Sequence, residues 1–139
     1  MPYALVVLDA SAALALLLAE DQGAQVEHLI AGTISINGQI FVPGLFWYEL
    51  GNRLLTAERK NIVTPQSNVA ALSSFARLPI VTHQDPDFSL HNRIMGLARD
   101  NNLTYYDASY LELAARFEAR LKSFDTHLLN LRASFPVIL

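Results

Sequence analysis

Cysteine is absent from the 139 residues, which removes disulfides, thiolate metal sites and a cysteine nucleophile together. Asp, Glu and His remain as possible metal ligands. A membrane-length run is missing too: the longest unbroken apolar stretch, residues 12–19, falls far short of the roughly 20 residues a spanning helix needs. The amino-terminal segment is apolar, but it has no basic flank and carries Asp9 in mid-run, so a secretory signal is not expected. A soluble, cytoplasmic protein is. A basic excess is also lacking, since ten Lys and Arg face thirteen Asp and Glu for a net charge of −3. That argues against a domain that holds a polyanion by bulk positive field. Neutralising four of the acids at one cation site would leave the remainder at +1, so a polyanion is tolerable only with cations bound.

What is abundant is apolar material. A hydrophobic content of 52% supplies one core, and the length suits a single domain spanning residues 1–139. Residues 4–8, rich in Val and Leu, read as a buried strand. Residues 11–20 are nearly all Ala and Leu, a helix apolar on every side that must be covered on two faces. A second helix is expected over 24–31, with the Gly, Ser and Asn of 32–39 as a connection and 40–42 as the next strand.

Pro43-Gly44 punctuates that strand, and a helix over 45–60 follows with Glu49 near its start. Thr64-Pro65 is a helix opening, Thr capping and Pro in the first turn, for a helix to about residue 77. Residues 78–82 form a third strand. After a turn over 83–87 comes a helix to about residue 100, closed by Asn101-Asn102. A helix over 107–120, a strand over 121–124, a helical turn to 131 and a last strand over 137–139 complete the chain. Strands that alternate with helices need crossover connections. The fold class is therefore α/β, a mostly parallel sheet with helices on both faces.

In open α/β sheets the functional crevice lies beyond the carboxyl ends of the strands. Asp9 and Asp125 each stand immediately after a predicted strand, while Glu49 and Asp107 lie near the starts of two helices. Each acid alone has a plainer reading. Asp at a strand-to-helix junction is a preferred N-cap, Asp107 completes a capping-box-like pair with Thr104, and Glu49 suits a solvated face.

Taken in order, four segments resemble a known family. Val7-Leu8-Asp9-Ala10-Ser11-Ala12, Pro43 through Glu49-Leu50-Gly51-Asn52, Tyr106-Asp107-Ala108-Ser109-Tyr110-Leu111 and Ser123-Phe124-Asp125 resemble the four signatures of PIN domains, over almost the whole chain. The length is similar to that of the VapC-type ribonucleases of toxin–antitoxin modules. The resemblance implies a three-layer α/β/α fold and metal ligation centred on Asp9, Glu49, Asp107 and Asp125. It also implies auxiliary polar roles for Ser11 and Asn52. Ser123 stands where the family more often has Thr, which keeps the hydroxyl. An RNA substrate, a cognate antitoxin and a homodimer follow from the same likeness.

Clustered carboxylates repel, and a divalent cation resolves the conflict. Oxygen ligands without His or Cys favour Mg²⁺, with Mn²⁺ as a substitute, over Zn²⁺. Asp9 and Asp107 are assigned as principal ligands, Glu49 as a ligand or as the base that orients water, and Asp125 as a ligand to a second ion or through water. Ser11 either contacts the carboxylates or serves the helix start. Arg53, four residues after Glu49 and so nearly on its helix face, is a candidate RNA contact or a partner in a structural salt bridge. Trp47, Tyr105 and Tyr106 are either base-stacking platforms or buried packing. His83, Asp85, Asp87 and His91 have metal-ligand composition, but Pro86 and the turn favour capping and solvation. A haloacid-dehalogenase-like phosphatase needs a second Asp at the position of Ser11, and a phosphorelay receiver needs paired acids and a late Lys. The other class left open is a PIN-like scaffold that only binds protein or RNA partners.

Overall fold

The computed structural model describes residues 2–139. Its elements are β1 (Leu5–Leu8), α1 (Ala10–Leu17), α2 (Gly23–Ser35), β2 (Gln39–Pro43), α3 (Leu45–Arg59), α4 (Pro65–Phe75), β3 (Ile80–His83), α5 (Phe88–Asn101), α6 (Tyr105–Phe117), β4 (Arg120–Lys122) and α7 (Thr126–Leu129). The four strands form one sheet in the order β3-β2-β1-β4, and every pairing is parallel. Val6, Val7 and Leu8 of β1 are fully buried, as a central parallel strand covered on both faces requires.

From β1 the chain moves outward to β2 and β3, then returns across the sheet to add β4 on the other side of β1. Direction therefore reverses between β1 and β4. With right-handed crossovers, that reversal sends the two groups of helices to opposite faces. Helix α6 lies against β1, β2 and β4 with α5 stacked on it, whereas α1 packs with α2, α3 and α4. The result is the expected α/β/α sandwich. Among the described residues no helix is long and apolar enough to cross a membrane.

Side-chain caps place most helix starts. Asp9, Thr64, Asp87, Thr104 and Asp125 all accept a backbone N–H from the first turn that follows them. At α4 the box is reciprocal, since the Ser67 hydroxyl returns a bond to the Thr64 backbone. Asn102 ends α5 at φ 51°, the left-handed geometry in which Asn is favoured.

Three expectations need correction. The segment 32–39 is not all connection, because α2 runs on to Ser35. Thr33 is buried there, and its hydroxyl bonds to the Leu29 carbonyl, so burial outweighs weak local propensity. The strand expected over 121–124 ends at Lys122, because the Phe124 and Asp125 amides are taken by serine hydroxyls. The strand expected over 137–139 shrinks to a single bridge between Leu121 and Ile138.

The all-round apolar α1 is accommodated by close approach. A Cβ built on Gly23 would fall 2.5 Å from the Ala15 carbonyl oxygen, so α2 rests against the end of α1 without a side chain between them. Gly23→Ala is expected to cost about 1–3 kcal/mol through overpacking. Thermal unfolding should show it as a Tm lower by several degrees.

Candidate functional site

Asp9 follows the last residue of β1, its amide donating to the Lys122 carbonyl of β4 at 3.2 Å. Its side chain is buried, with 4% of the residue exposed. One oxygen, Oδ1, accepts from the Ser11 hydroxyl at 2.6 Å and from the Ala12 amide at 3.0 Å. The other, Oδ2, accepts a short bond from the Ser123 hydroxyl. Ser123 Oγ in turn accepts from the Asp125 amide, and Ser11 Oγ from the Phe124 amide, both at 2.9 Å. Two serine hydroxyls thus stitch the carboxyl end of β1 to that of β4. Asp9 is at once the cap of α1 and the centre of this network.

Around it stand the other three acids. Glu49, in the first turns of α3, accepts from the Tyr110 hydroxyl at 2.5 Å. Asp107 sits in the first turn of α6, where its amide donates to the capping Thr104 hydroxyl at 3.1 Å. Asp125 caps α7 by accepting from the His127 amide at 2.8 Å. Asp9, Glu49 and Asp107 all have carboxyl pKa values raised above the ordinary range, chiefly by burial. The negative charge of Asp125 adds to the rise at all three, and Asp9 acts on both Glu49 and Asp107. Acids from four separate segments therefore feel one another, which random surface carboxylates do not.

The remaining candidates divide. Ser11 and Ser123 belong to the network. Asn52 is exposed on α3 and takes no part in the hydrogen bonds that hold the acids. Arg53 is exposed and lowers the Glu49 pKa by its charge without closing a salt bridge on it. Trp47 is structural: its indole N–H donates to the Thr82 hydroxyl and its ring packs on Phe46 and Phe75. The His83–His91 turn is not a ligand cluster, for Asp87 caps α5 and His91 Nδ1 pairs with the Tyr105 hydroxyl.

Tyr110 is the participant that sequence reasoning passed over. It is 2% exposed, and burial together with the Glu49 carboxylate pushes its hydroxyl pKa up. It therefore stays a protonated donor to Glu49. The signal was available, since Tyr110 lies three residues after Asp107 and so on the same helical face.

Among the described residues, no three carboxylates or imidazoles stand in a ready-made coordinating arrangement. Both Asp9 oxygens and one Glu49 oxygen are held by protein hydroxyls and an amide. An all-oxygen set under mutual repulsion fits a hard divalent cation that keeps several of its waters and reaches some carboxylates through them.

The PIN domain family model matches residues 6–133. A VapC ribonuclease of Mycobacterium bovis and Ribonuclease VapC9 of Mycobacterium tuberculosis are each 32% identical over 124 residues, covering 89% of this chain and 88% of theirs. A protein of Pyrobaculum aerophilum of known crystal structure superposes with a TM-score of 0.64 at 26% identity, over 90% of this chain and 77% of that one.

A raised carboxyl pKa means that the folded state holds its proton more tightly than the unfolded chain. The stability this brings is present below the unfolded value and lost as pH rises through the folded one. Removing one charge should therefore help the metal-free protein at neutral pH. Metal-free Asp107→Asn is expected to melt a few degrees above the parent at pH 7, with the gap closing towards pH 4. A gap that stays constant with pH would show that folding does not raise the Asp107 pKa.

Proposed function

Because the chain belongs to the PIN-domain family, we propose that it is a Mg²⁺-dependent endoribonuclease, the toxin of a type II toxin–antitoxin pair. The observation that carries this reading is the electrostatic coupling of Asp9, Glu49, Asp107 and Asp125 at the point where β1 and β4 diverge. The protein acts as one domain across residues 1–139, in the cytoplasm and as a homodimer, with Mn²⁺ as a substitute ion.

In this reading Asp9 and Asp107 would hold the cation, which when bound would supply Lewis-acid charge stabilisation and a more acidic water. Glu49 accepts the proton of the attacking water or fixes its orientation. Tyr110 holds Glu49 in place by donating to one oxygen, leaving the other free for that task. Ser11 and Ser123 keep Asp9 from turning away, and Asp125 ligates directly or through water. No protein nucleophile is needed. Without a bound cation the four carboxylates would oppose a polyanion at this crevice. A cognate antitoxin would have to cover this same crevice to keep the toxin silent.

Purified protein should cut single-stranded RNA with Mg²⁺ or Mn²⁺ and fail in chelator. Asp9→Asn should lower kcat by more than about 100-fold, beyond the 10–100-fold typical of residues that only support a ligand. It should also relieve the growth arrest expected when the chain is expressed alone. Neither metal-dependent cleavage nor Mn²⁺-induced stabilisation in folded protein would instead establish the partner-binding scaffold. Tyr110→Phe keeps the ring and removes the donor. Calorimetry should show its Mn²⁺ affinity weaker by about 10-fold or more, and unchanged affinity would remove Tyr110 from the site.

A further inference from the structure

A second cavity, of about 250 Å³, opens one strand over from the acids and includes none of them in its walls. It lies where the ends of β2 and β3 meet α5 and α6, and its lining includes Tyr48, His83, Asp85, Tyr106, Glu112 and Arg116. Tyr48 and Tyr106 are 80% and 57% exposed, which is unusual for large aromatics and leaves their faces free. Each immediately precedes an acid of the site, Glu49 and Asp107. The cavity therefore borders the amino-terminal turns of α3 and α6, the helices that carry those two acids.

The interior adds a second signal. His83 Nε2 is buried without a hydrogen-bond partner, a situation that native structures rarely leave unresolved. Its ring packs against Phe41 and Phe117, at centroid distances of 4.7 and 4.8 Å, and forms part of the cavity wall. Burial and the Arg116 charge hold its pKa low, which keeps the imidazole neutral. The cations nearby are already committed: Glu112, 8% exposed, accepts from Arg116 Nε at 2.9 Å and pairs with Arg93 at 3.7 Å. With its positive charge spent and Asp85 at its rim, the cavity repels phosphate and suits a neutral ring with N–H groups.

Resting on the ribonuclease reading, we propose that this cavity takes an unpaired nucleobase bearing an exocyclic amino group, next to the scissile bond. Tyr48 and Tyr106 stack on or flank the ring, and His83 Nε2 and Asp85 read its edge. Adenine, guanine or cytosine is then preferred over uracil at that position. Base stacking on aromatics is sequence-tolerant and supplies affinity, while the polar groups supply the choice.

The test is cleavage of a randomised oligoribonucleotide pool, together with photocrosslinking of an oligoribonucleotide carrying 6-thioguanosine, mapped by peptide mass spectrometry. The parent should disfavour uracil at one position beside the cut and crosslink at Tyr48 or Tyr106. Tyr48→Ala, at an exposed position, should raise KM by about tenfold. His83→Phe, which keeps the aromatic packing, should flatten the base preference. Cleavage whose profile and KM ignore both variants, with no crosslink at either tyrosine, overturns the assignment and spares the nuclease reading. Crosslinking without cleavage does the reverse. If the variants change only the oligomeric state, the occupant is a second copy of the chain and the assignment falls.

Discussion

A buried carboxylate holds the two strands at the turning point of the sheet in register with each other. Asp9 accepts from hydroxyls on both sides of the gap, Ser11 after β1 and Ser123 after β4, and those hydroxyls accept the amides of the segment that leads to Asp125. Removing Asp9 from water is costly unless each oxygen is satisfied, and here each is. The same bonds cap α1, terminate β4 early and orient Asp125. The site and the fold are not separable at this point.

The cost of that arrangement is electrostatic. Parallel strands end at one edge, so the acids that follow them converge whether or not a counter-charge is present. Burial and mutual repulsion raise the pKa of three of them, and among the described residues no lysine or arginine is buried to offset this. Arg93 and Arg116, the cations engaged in salt bridges, are both paired with Glu112 on the outer side of α6. Exposed Arg53 is left to act on Glu49 alone. On the nuclease reading proposed above, a cation from solvent would be the missing partner and would let a protein of net charge −3 accommodate a polyanion.

Helix α6 connects the two ends of this economy. Asp107 in its first turn faces the acids, Tyr110 one turn later steadies Glu49, and Glu112 with Arg116 closes the floor of the neighbouring cavity. Its middle is buried almost continuously from Ala108 to Ala114, because it lies across the sheet instead of beside it. A change in the seating of α6 is therefore felt in both places.

Local chemistry was enough to read much of this from the residues: the alternation of apolar runs with caps at Asp9, Thr64, Thr104 and Asp125 prescribes α/β order, and the four acids stand where strands and helices meet. The boundaries that escaped were those settled by contacts distant in sequence. Thr33 prolongs α2 through its burial, Ser123 and Phe124 leave their strand for the side chains after β1, and the chain end forms one bridge in place of a strand. The partnership of Tyr110 with Glu49 spans 61 residues, and the unpaired nitrogen of His83 arises only from the rings packed around it. Sequence determined which groups are present and which elements carry them, because capping and apolar periodicity act over a few residues. Tertiary structure alone decided which groups meet, since strand order and helix seating set distances that no local pattern encodes.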